Sequence, residues 1–463
     1  MAWTRTTSAQ LDLPPAQVWS VISDLSRWSR WQPAVSGARL DGPVAVGATG
    51  SYSLSSRAFR ALHERTAPPL QVTAHEEGRV LEISQPNPTG EMRVRWTLDA
   101  VDDATRLEQV VSVHGAMTPA VVLGVAGALA QDFSTTSARL ALECGLSPDP
   151  LRVKVVVAGG SGALGRHLAG DLLRHRHEVV LLTRSPDASL PYRQVQWDGR
   201  TVGAWADELE ATADAGVALV NLAGRLVDVR PSPANIASLR TSRVEPTHAL
   251  VSASQQLQRP LVSWLQASTT AIWSDSGEER ITETTPLPAD GGLPQMTGVA
   301  QPWEAAVDGA RAEHVHLLRT SIVLDRDAPA LQVLARLTRA GLGGRVGSGR
   351  QWFSWIHRDD WVRVARAALG FEPGTTLPDG PVVAAAPEPV RNAELMAALR
   401  RVLRRPVAPP TPAALLHVGA VALRSDPALA LTGRHCTSQV LADAGFDFEH
   451  PRLDDALAEL YRG

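Results

Sequence analysis

Lysine is almost absent from this chain of 463 residues: among its 45 Lys and Arg residues, only Lys154 is a lysine. Tyrosine is nearly as scarce, with Tyr52, Tyr192 and Tyr461 alone. Catalysis that needs a phenol and a neighbouring ammonium to lower its pKa therefore has few places to reside, because an unassisted phenol titrates near pKa ~10. Two cysteines, Cys144 and Cys436, supply neither a disulfide framework nor a zinc spacing. They fit a reducing cytoplasm, and no metal site is expected. Charge of one sign is also lacking: the net charge is −3, with no long basic or acidic run. Nothing in this balance suggests an electrostatic partnership with nucleic acid or a membrane, and neither partner is expected. The polar start MAWTRTTSAQ has no signal-peptide character. The longest apolar run, 116–130, is too short and too marked by Gly and Pro for a membrane span. A cytoplasmic location is the expectation.

What is present points to large cores. Hydrophobic residues make up 44% and charged ones 20%, and the length suggests about three domains. The organising stretch is 153–186, VKVVVAGGSGALGRHLAGDLLRHRHEVVLLTRSP. A β-branched run meets Gly159-Gly160-Ser161-Gly162-Ala163-Leu164-Gly165, then a helix-compatible segment, then the apolar run Val179–Leu182. Strand, glycine turn, helix and strand make the βαβ unit that cradles a dinucleotide. One glycine permits the turn, one lets backbone N–H groups approach the pyrophosphate, and one lets helix and strand close up. The second strand ends Thr183-Arg184-Ser185 with no acid to accept the ribose 2′-OH. Arg184, and Arg166 just past the last glycine, suit a 2′-phosphate, so NADP(H) is favoured over NAD(H). Asn221-Leu222-Ala223-Gly224 and Ala267-Ser268-Thr269-Thr270 end later strands, where ligands enter an open α/β sheet.

The stretch ahead of this unit, 1–147, reads as one short helix after Pro14-Pro15, a series of antiparallel strands and a closing helix carrying Leu129, Phe133, Leu140 and Cys144. The clearest strand is 91–99, where Met92, Val94, Trp96 and Leu98 alternate with Arg93, Arg95, Thr97 and Asp99. With DLPPAQVWSVISDLSRWSRWQP near its start, this part resembles the helix-grip superfamily of START-like and polyketide-cyclase-like domains. That resemblance implies a cavity for an apolar small molecule; the alternative is a cavity filled by Trp19, Trp28, Trp31 and their neighbours.

Further on, GGSGALGRHL, LLTRSP, VNLAG, QAST, LLRTSIVL, GLGGRVGSGRQWFSWIHRDD, AAPEPVRNAELMAAL and AGFDF follow in one order. Together they resemble the epimerase-like subfamily of atypical, extended short-chain dehydrogenases/reductases. The resemblance implies an α/β architecture: a doubly wound parallel Rossmann sheet over 152–372, a small C-terminal helical cap over 373–463, and here the α+β helix-grip domain at 1–147. It also implies NAD(P) binding and oxidoreductase or epimerase activity. The catalytic set does not carry over with it. Ser268 matches the family's Ser, but 295–300 reads QMTGVA where the Tyr and Lys belong, and Ile272 and Trp273 replace two further tyrosines.

Three readings stay open. One is an enzyme with another proton carrier, with His357, Asp359 and Asp360 as candidates. A second is a catalytically silent NADP(H)-sensing module, and a third is a carrier that presents an apolar ligand to the nucleotide site. His357 has a structural alternative as a packing or capping residue, and Asp359 as a helix N-cap. Arg345 and Arg350, in a glycine-rich loop before Trp352, suit a substrate bearing phosphate or carboxylate. The substrate and oligomeric state are not legible from the sequence.

Overall fold

The computed structural model describes residues 2–211, 214–290, 292–412 and 426–461. The helix expected over 412–424 lies, except for Pro412, outside the described residues.

The first seven strands form one antiparallel sheet: β1 (Ala2–Leu11), β2 (Val35–Leu40), β3 (Thr49–Leu54), β4 (Leu70–Glu76), β5 (Val80–Asn87), β6 (Gly90–Val101) and β7 (Ala104–His114), in the order β1-β7-β6-β5-β4-β3-β2. Alternation in β6 buries Met92, Val94, Trp96 and Leu98. Helix α1 (Pro15–Ile22) starts at a proline whose fixed φ is preset for a first turn, and it buries Val18, Trp19, Val21 and Ile22. Trp28 and Trp31, on the short α2 (Trp28–Trp31), lie 5.0 and 6.4 Å from the Trp96 ring. These rings are buried in the core together with the inward-facing residues of the sheet. The space left among Trp28, Tyr52, Met92, Trp96 and Leu129 is about 10 Å³, roughly one water. Two further helices, α3 (Arg57–Thr66), with no buried residue, and α4 (Thr118–Val121), lie in connections between or after the strands.

The closing helix differs from expectation. Leu129 belongs to α5 (Gly127–Ala130), and a new helix, α6 (Phe133–Glu143), starts after Asp132. Asp132 sits at φ 47° and accepts a bond from the Thr135 N–H, so a left-handed cap interrupts the helix.

Helix α6 lies against α7 (Ala163–Arg174), where a Cβ on Gly170 would stand 2.7 Å from the Ser134 carbonyl oxygen. Arg174 reinforces this seam through the Gln10 and Ser134 carbonyls and the Ser137 hydroxyl.

The second sheet is parallel: β8 (Lys154–Ala158), β9 (Val179–Thr183), β10 (Arg193–Gln196), β11 (Val217–Asn221), β12 (Ser263–Thr269), and, after the two-residue β13 (Arg280–Ile281), β14 (Val315–Thr320). Next come β15 (Ile322–Leu324), β16 (Trp352–Phe353), β17 (Trp355–His357) and β18 (Gly380–Ala384). The main order is β10-β9-β8-β11-β12-β14-β18. Chain order reverses between β8 and β11, which is where ligands enter such sheets. The helices α8 (Pro233–Ser254), α9 (Thr297–Ala305), α10 (Pro329–Arg339) and α11 (Arg358–Ala368) connect these strands, and α12 (Asn392–Val402) follows the last of them.

Two details depart from the sequence reading. The run 315–324 divides at Ser321, whose N–H and hydroxyl both bond the Ala384 carbonyl. Strand β18 lies beyond residue 372 yet pairs with β14, so the parallel sheet extends into the stretch expected to be a separate helical cap. Lys154, the lone lysine, is spent on Glu208 at 2.8 Å. Among the described residues no helix is long and apolar enough to cross a membrane.

Candidate nucleotide-binding crevice

The turn after β8 is built around its glycines. Gly159 has φ 79°, and a Cβ there would stand 2.7 Å from the Leu222 carbonyl, so the turn lies directly on the loop after β11. A Cβ on Gly165 would fall 2.5 Å from the Gly160 Cα. Gly162 differs: its Cβ would meet only the Gly159 oxygen, at 3.3 Å. That side is open to an incoming phosphate. Gly162 is also the N-cap of α7 and brings no side-chain cap, which leaves the first-turn N–H groups, near Ala163 and Leu164, without side-chain acceptors. The Ser161 carbonyl accepts from Arg166, whose Nε lies 3.0 Å from Asp132. Arg166 therefore ties the turn to the N-terminal sheet's closing helix.

Arg184 is exposed at the end of β9 and borders an open cavity of about 710 Å³ that also contacts Gln196, Trp197, Asp198, Thr201 and Trp205. Sequence reasoning missed Gln196–Asp198; the signal was available, because β10 is the next parallel strand and its end opens on the same edge. Asp198 accepts from the Thr201 N–H and hydroxyl and the Arg200 N–H, which hold its pKa down at about 2.

Asn221 is fully buried, and its amide donates to Thr247 and Gln266 and accepts from the Ala223 N–H. It shapes the loop Leu222-Ala223-Gly224 and has no amide donor left for a ligand. Gly224 lies against Arg243, whose side chain a Cβ there would approach to 3.2 Å.

Ser268, at the end of β12, is buried and donates to Glu304 on α9 at 2.5 Å. Glu304 in turn holds Arg319 of β14 through two bonds of 2.9 and 2.8 Å, and Arg319 lies 4.8 Å over the Trp273 ring. The 295–300 stretch forms the start of α9, where Met296, Thr297 and Ala300 are buried and no phenol is present.

His357 is also completely buried. Its Nδ1 accepts from the Asp359 N–H as the N-cap of α11, and its Nε2 lies 3.1 Å from Glu459. Asp359 is thus a first-turn residue, paired with Arg358 at 2.8 Å. His357, Asp359 and His450 bring their donor atoms within 4.8 Å of one another, the kind of set that holds a metal. His357 already spends its two nitrogens on the α11 cap and on Glu459 of the C-terminal helix, and Asp359 is paired with Arg358.

Asp360 receives the N–H groups of Glu449 and His450, and burial raises its carboxyl to about 6. A raised folded pKa means a contribution that is fully present below the unfolded value and lost as pH rises through about 6. The melting temperature of the wild type relative to Asp360→Asn is therefore expected to rise as pH falls from 6 to 4. A pH-independent difference in thermal unfolding would contradict the buried, proton-binding carboxyl.

The expected substrate residues are placed differently from one another. Arg345 folds back onto the Gly347 and Ser348 carbonyls, and the Arg350 side chain is exposed. Trp352 is stacked on His435 at 3.8 Å and covered by Arg391 at 3.9 Å, with its N–H on Glu278.

A glycine turn at a strand-order reversal, opening on a helix N-terminus, defines an α/β protein of Rossmann type. Residues 155–291 match the NAD dependent epimerase/dehydratase family, residues 2–145 the polyketide cyclase/dehydrase and lipid transport family, and residues 411–460 a domain of unknown function, DUF1731. A chloroplastic SDR39U1 homologue of Arabidopsis thaliana is 30% identical over 71% of this chain and 92% of its own. An epimerase family protein of Mycobacterium tuberculosis is 31% identical over 65% of this chain and 96% of its own. Among solved structures, human SDR39U1 with NADPH aligns at 27% identity and a TM-score of 0.58, over 67% of this chain and all of that one. A nucleoside-diphosphate sugar epimerase from Corynebacterium glutamicum covers 99% of this chain and 90% of its own, at 21% identity and a TM-score of 0.58, and shares the fold. The chain belongs to the NAD-dependent epimerase/dehydratase family, in its SDR39U1-like branch, and carries a polyketide-cyclase-type domain ahead of it.

Proposed function

We propose that this protein binds NADP(H) in the crevice between β8 and β11, in an oxidoreductase or epimerase scaffold whose Tyr–Lys chemistry is replaced or lost. The geometry of the glycine turn carries this reading: Gly159 and Gly165 are closed by backbone, while Gly162 opens at an uncapped helix N-terminus. The NADPH in the human relative supports it. In this reading the N–H groups of 162–165 bind the pyrophosphate, Arg184 pairs with the 2′-phosphate, and Asn221 positions the loop that backs the cofactor. Ser268, Glu304 and Arg319 form the polar floor. When bound, the nicotinamide supplies hydride chemistry; the chain itself positions the cofactor and excludes water. The proposed units are the N-terminal domain at 1–147, the Rossmann domain from 152 through β18, and a C-terminal segment beyond it.

A second reading, the silent NADP(H)-binding or ligand-carrier module, is favoured by the absence of tyrosine and lysine at the start of α9. A carrier role for the N-terminal domain requires its tryptophans to part, because they leave about 10 Å³ between them. Cofactor choice is tested at Arg184. Arg184→Ala is expected to weaken NADPH binding roughly 10- to 100-fold, the worth of a charge-assisted hydrogen-bond pair, and to leave NADH nearly unchanged. Equal losses for both cofactors in a fluorescence titration would sink the NADP(H) preference.

A further inference from the structure

Leu129 lines the small space among the tryptophans of the N-terminal sheet, and three positions later Asp132 lies 3.0 Å from Arg166. Arg166 in turn donates through Nη1 to the Ser161 carbonyl at 2.7 Å, inside the glycine turn. The Leu129 carbonyl is itself a junction. It accepts from the Gln32 amide at 3.3 Å and from the Gln109 amide at 3.2 Å, and Gln109 accepts from the Trp96 indole N–H at 3.1 Å. Pocket and nucleotide turn are thus joined through the backbone of 129–132.

The wall that carries Leu129 is the one built to give. A space of about 10 Å³ holds no more than a water, so an apolar ligand that parts the tryptophans must displace a wall. Strand β5 is paired along its whole length with β6, and Trp28 is anchored by its indole N–H on the Ile22 carbonyl at 2.9 Å. The 118–130 segment lacks such continuity. Its α4 passes into a π-helical turn (Val122–Ala126), where the Gly127 N–H reaches back to the Val122 carbonyl, and then into the four-residue α5. The helix stops at Gln131, which is extended, and Asp132 is left-handed. Beyond this break α6 is fixed on α7: Ser134 Oγ lies 2.7 Å from His167 Nδ1, and His167 Nε2 lies 2.9 Å from Asp325. Movement of the Leu129 wall is therefore absorbed at 131–132, where an interrupted helical segment meets a fixed one. Such movement turns the Asp132 carboxylate relative to Arg166.

We propose that the N-terminal domain regulates the nucleotide crevice. An apolar, lipid-like molecule entering beneath Leu129 swings the 118–131 segment about Asp132, withdraws its carboxylate from Arg166 and releases the brace on the Ser161 carbonyl. Apolar ligand and NADP(H) then oppose each other. The ligand loosens the cradle, and a nucleotide that fixes the cradle closes the pocket, because such coupling is reciprocal. In the carrier reading, nucleotide binding is what unloads the cargo. The inference rests on the crevice being the NADP(H) site.

The test uses the full chain and two probes: the neutral fluorophore N-phenyl-1-naphthylamine for the pocket, and NADP⁺, whose nicotinamide does not fluoresce, for the crevice. Saturating NADP⁺ is expected to weaken fluorophore binding at least about fivefold, and saturating fluorophore to weaken NADP⁺ by the same factor in calorimetry. Asp132→Asn keeps an acceptor for the Thr135 N–H and tolerates the left-handed backbone, so it should melt like the wild type. It is expected to bind NADP⁺ as weakly as the fluorophore-loaded wild type does, with each ligand now changing the other by less than about twofold. Arg166→Gln breaks the same pair from α7 and should behave alike; it decides the question if Asp132→Asn fails to fold. No fluorophore binding by the wild type overturns the inference, as does NADP⁺ binding that a bound fluorophore leaves unchanged or tightens. Mutual exclusion that persists in both variants places the fluorophore in the crevice itself and overturns it too. Failure of the wild type to bind NADP⁺ without fluorophore strikes the cofactor reading and this inference with it, whereas intact NADP⁺ binding without linkage strikes this inference alone.

Discussion

Gly162→Val is expected to abolish NADPH binding, by about 100-fold or more, while leaving thermal unfolding close to wild type. The reason is the unequal surroundings of the glycines. Around Gly162 only the Gly159 oxygen approaches a Cβ, at 3.3 Å, so a side chain there projects mainly into the space a pyrophosphate would take. It also crowds the uncapped N-terminus of α7, whose N–H groups provide the attraction. Gly165→Ala is the contrasting case. Its Cβ would stand 2.5 Å from the Gly160 Cα and 2.7 Å from the Gly159 oxygen, both backbone atoms that cannot rotate away. That variant should lose binding and also stability, by about 1–3 kcal/mol for an overpacked contact. If Gly162→Val binds NADPH like the wild type, the phosphate does not lie against this turn.

The second large effect is expected at Glu304. Glu304→Ala removes at once the two-point partner of buried Arg319 and the acceptor of the Ser268 hydroxyl. Leaving one member of a buried pair uncompensated costs about 3–5 kcal/mol. At about 2–4 °C per kcal/mol for a domain of this size, the transition of the parallel-sheet domain should fall by roughly 10 °C. The N-terminal sheet is tied to the rest through the α6–α7 seam and through Arg5 and Asp327, so two optical probes should be followed to see whether it unfolds separately. Glu304→Gln keeps an acceptor for Ser268 but loses the negative charge opposite Arg319, and should fall between. A Glu304→Ala protein that melts like the wild type would show that this cluster does not hold the floor of the crevice.

Much of the architecture was legible because the elements carry their own periodicities. Alternation in 91–99, the double proline at 14–15 and the strand–glycine–helix sequence at 153–174 are local signals, and the structure follows them. Signals that depend on distant partners were not legible. Ser268 reads as an exposed strand-end hydroxyl until Glu304, 36 positions later, is folded onto it. Asn221 reads as a cofactor ligand until Thr247 and Gln266 consume its amide. His357 reads equally as a proton carrier or as a capping residue until α11 and Glu459 enclose it as the N-cap. The five-residue apolar run of β18 says nothing of which sheet receives it; its pairing with β14 decides that. The break at Asp132 was hidden because the apolar spacing continues across it.

The account's central claim is that the crevice retains nucleotide binding although the usual Tyr–Lys pair is gone. Its most direct test is a calorimetric titration of the full chain with NADPH and NADH side by side. Saturable one-to-one binding, tighter for NADPH, is the predicted result. No binding of either nucleotide, or tighter binding of NADH, would contradict it.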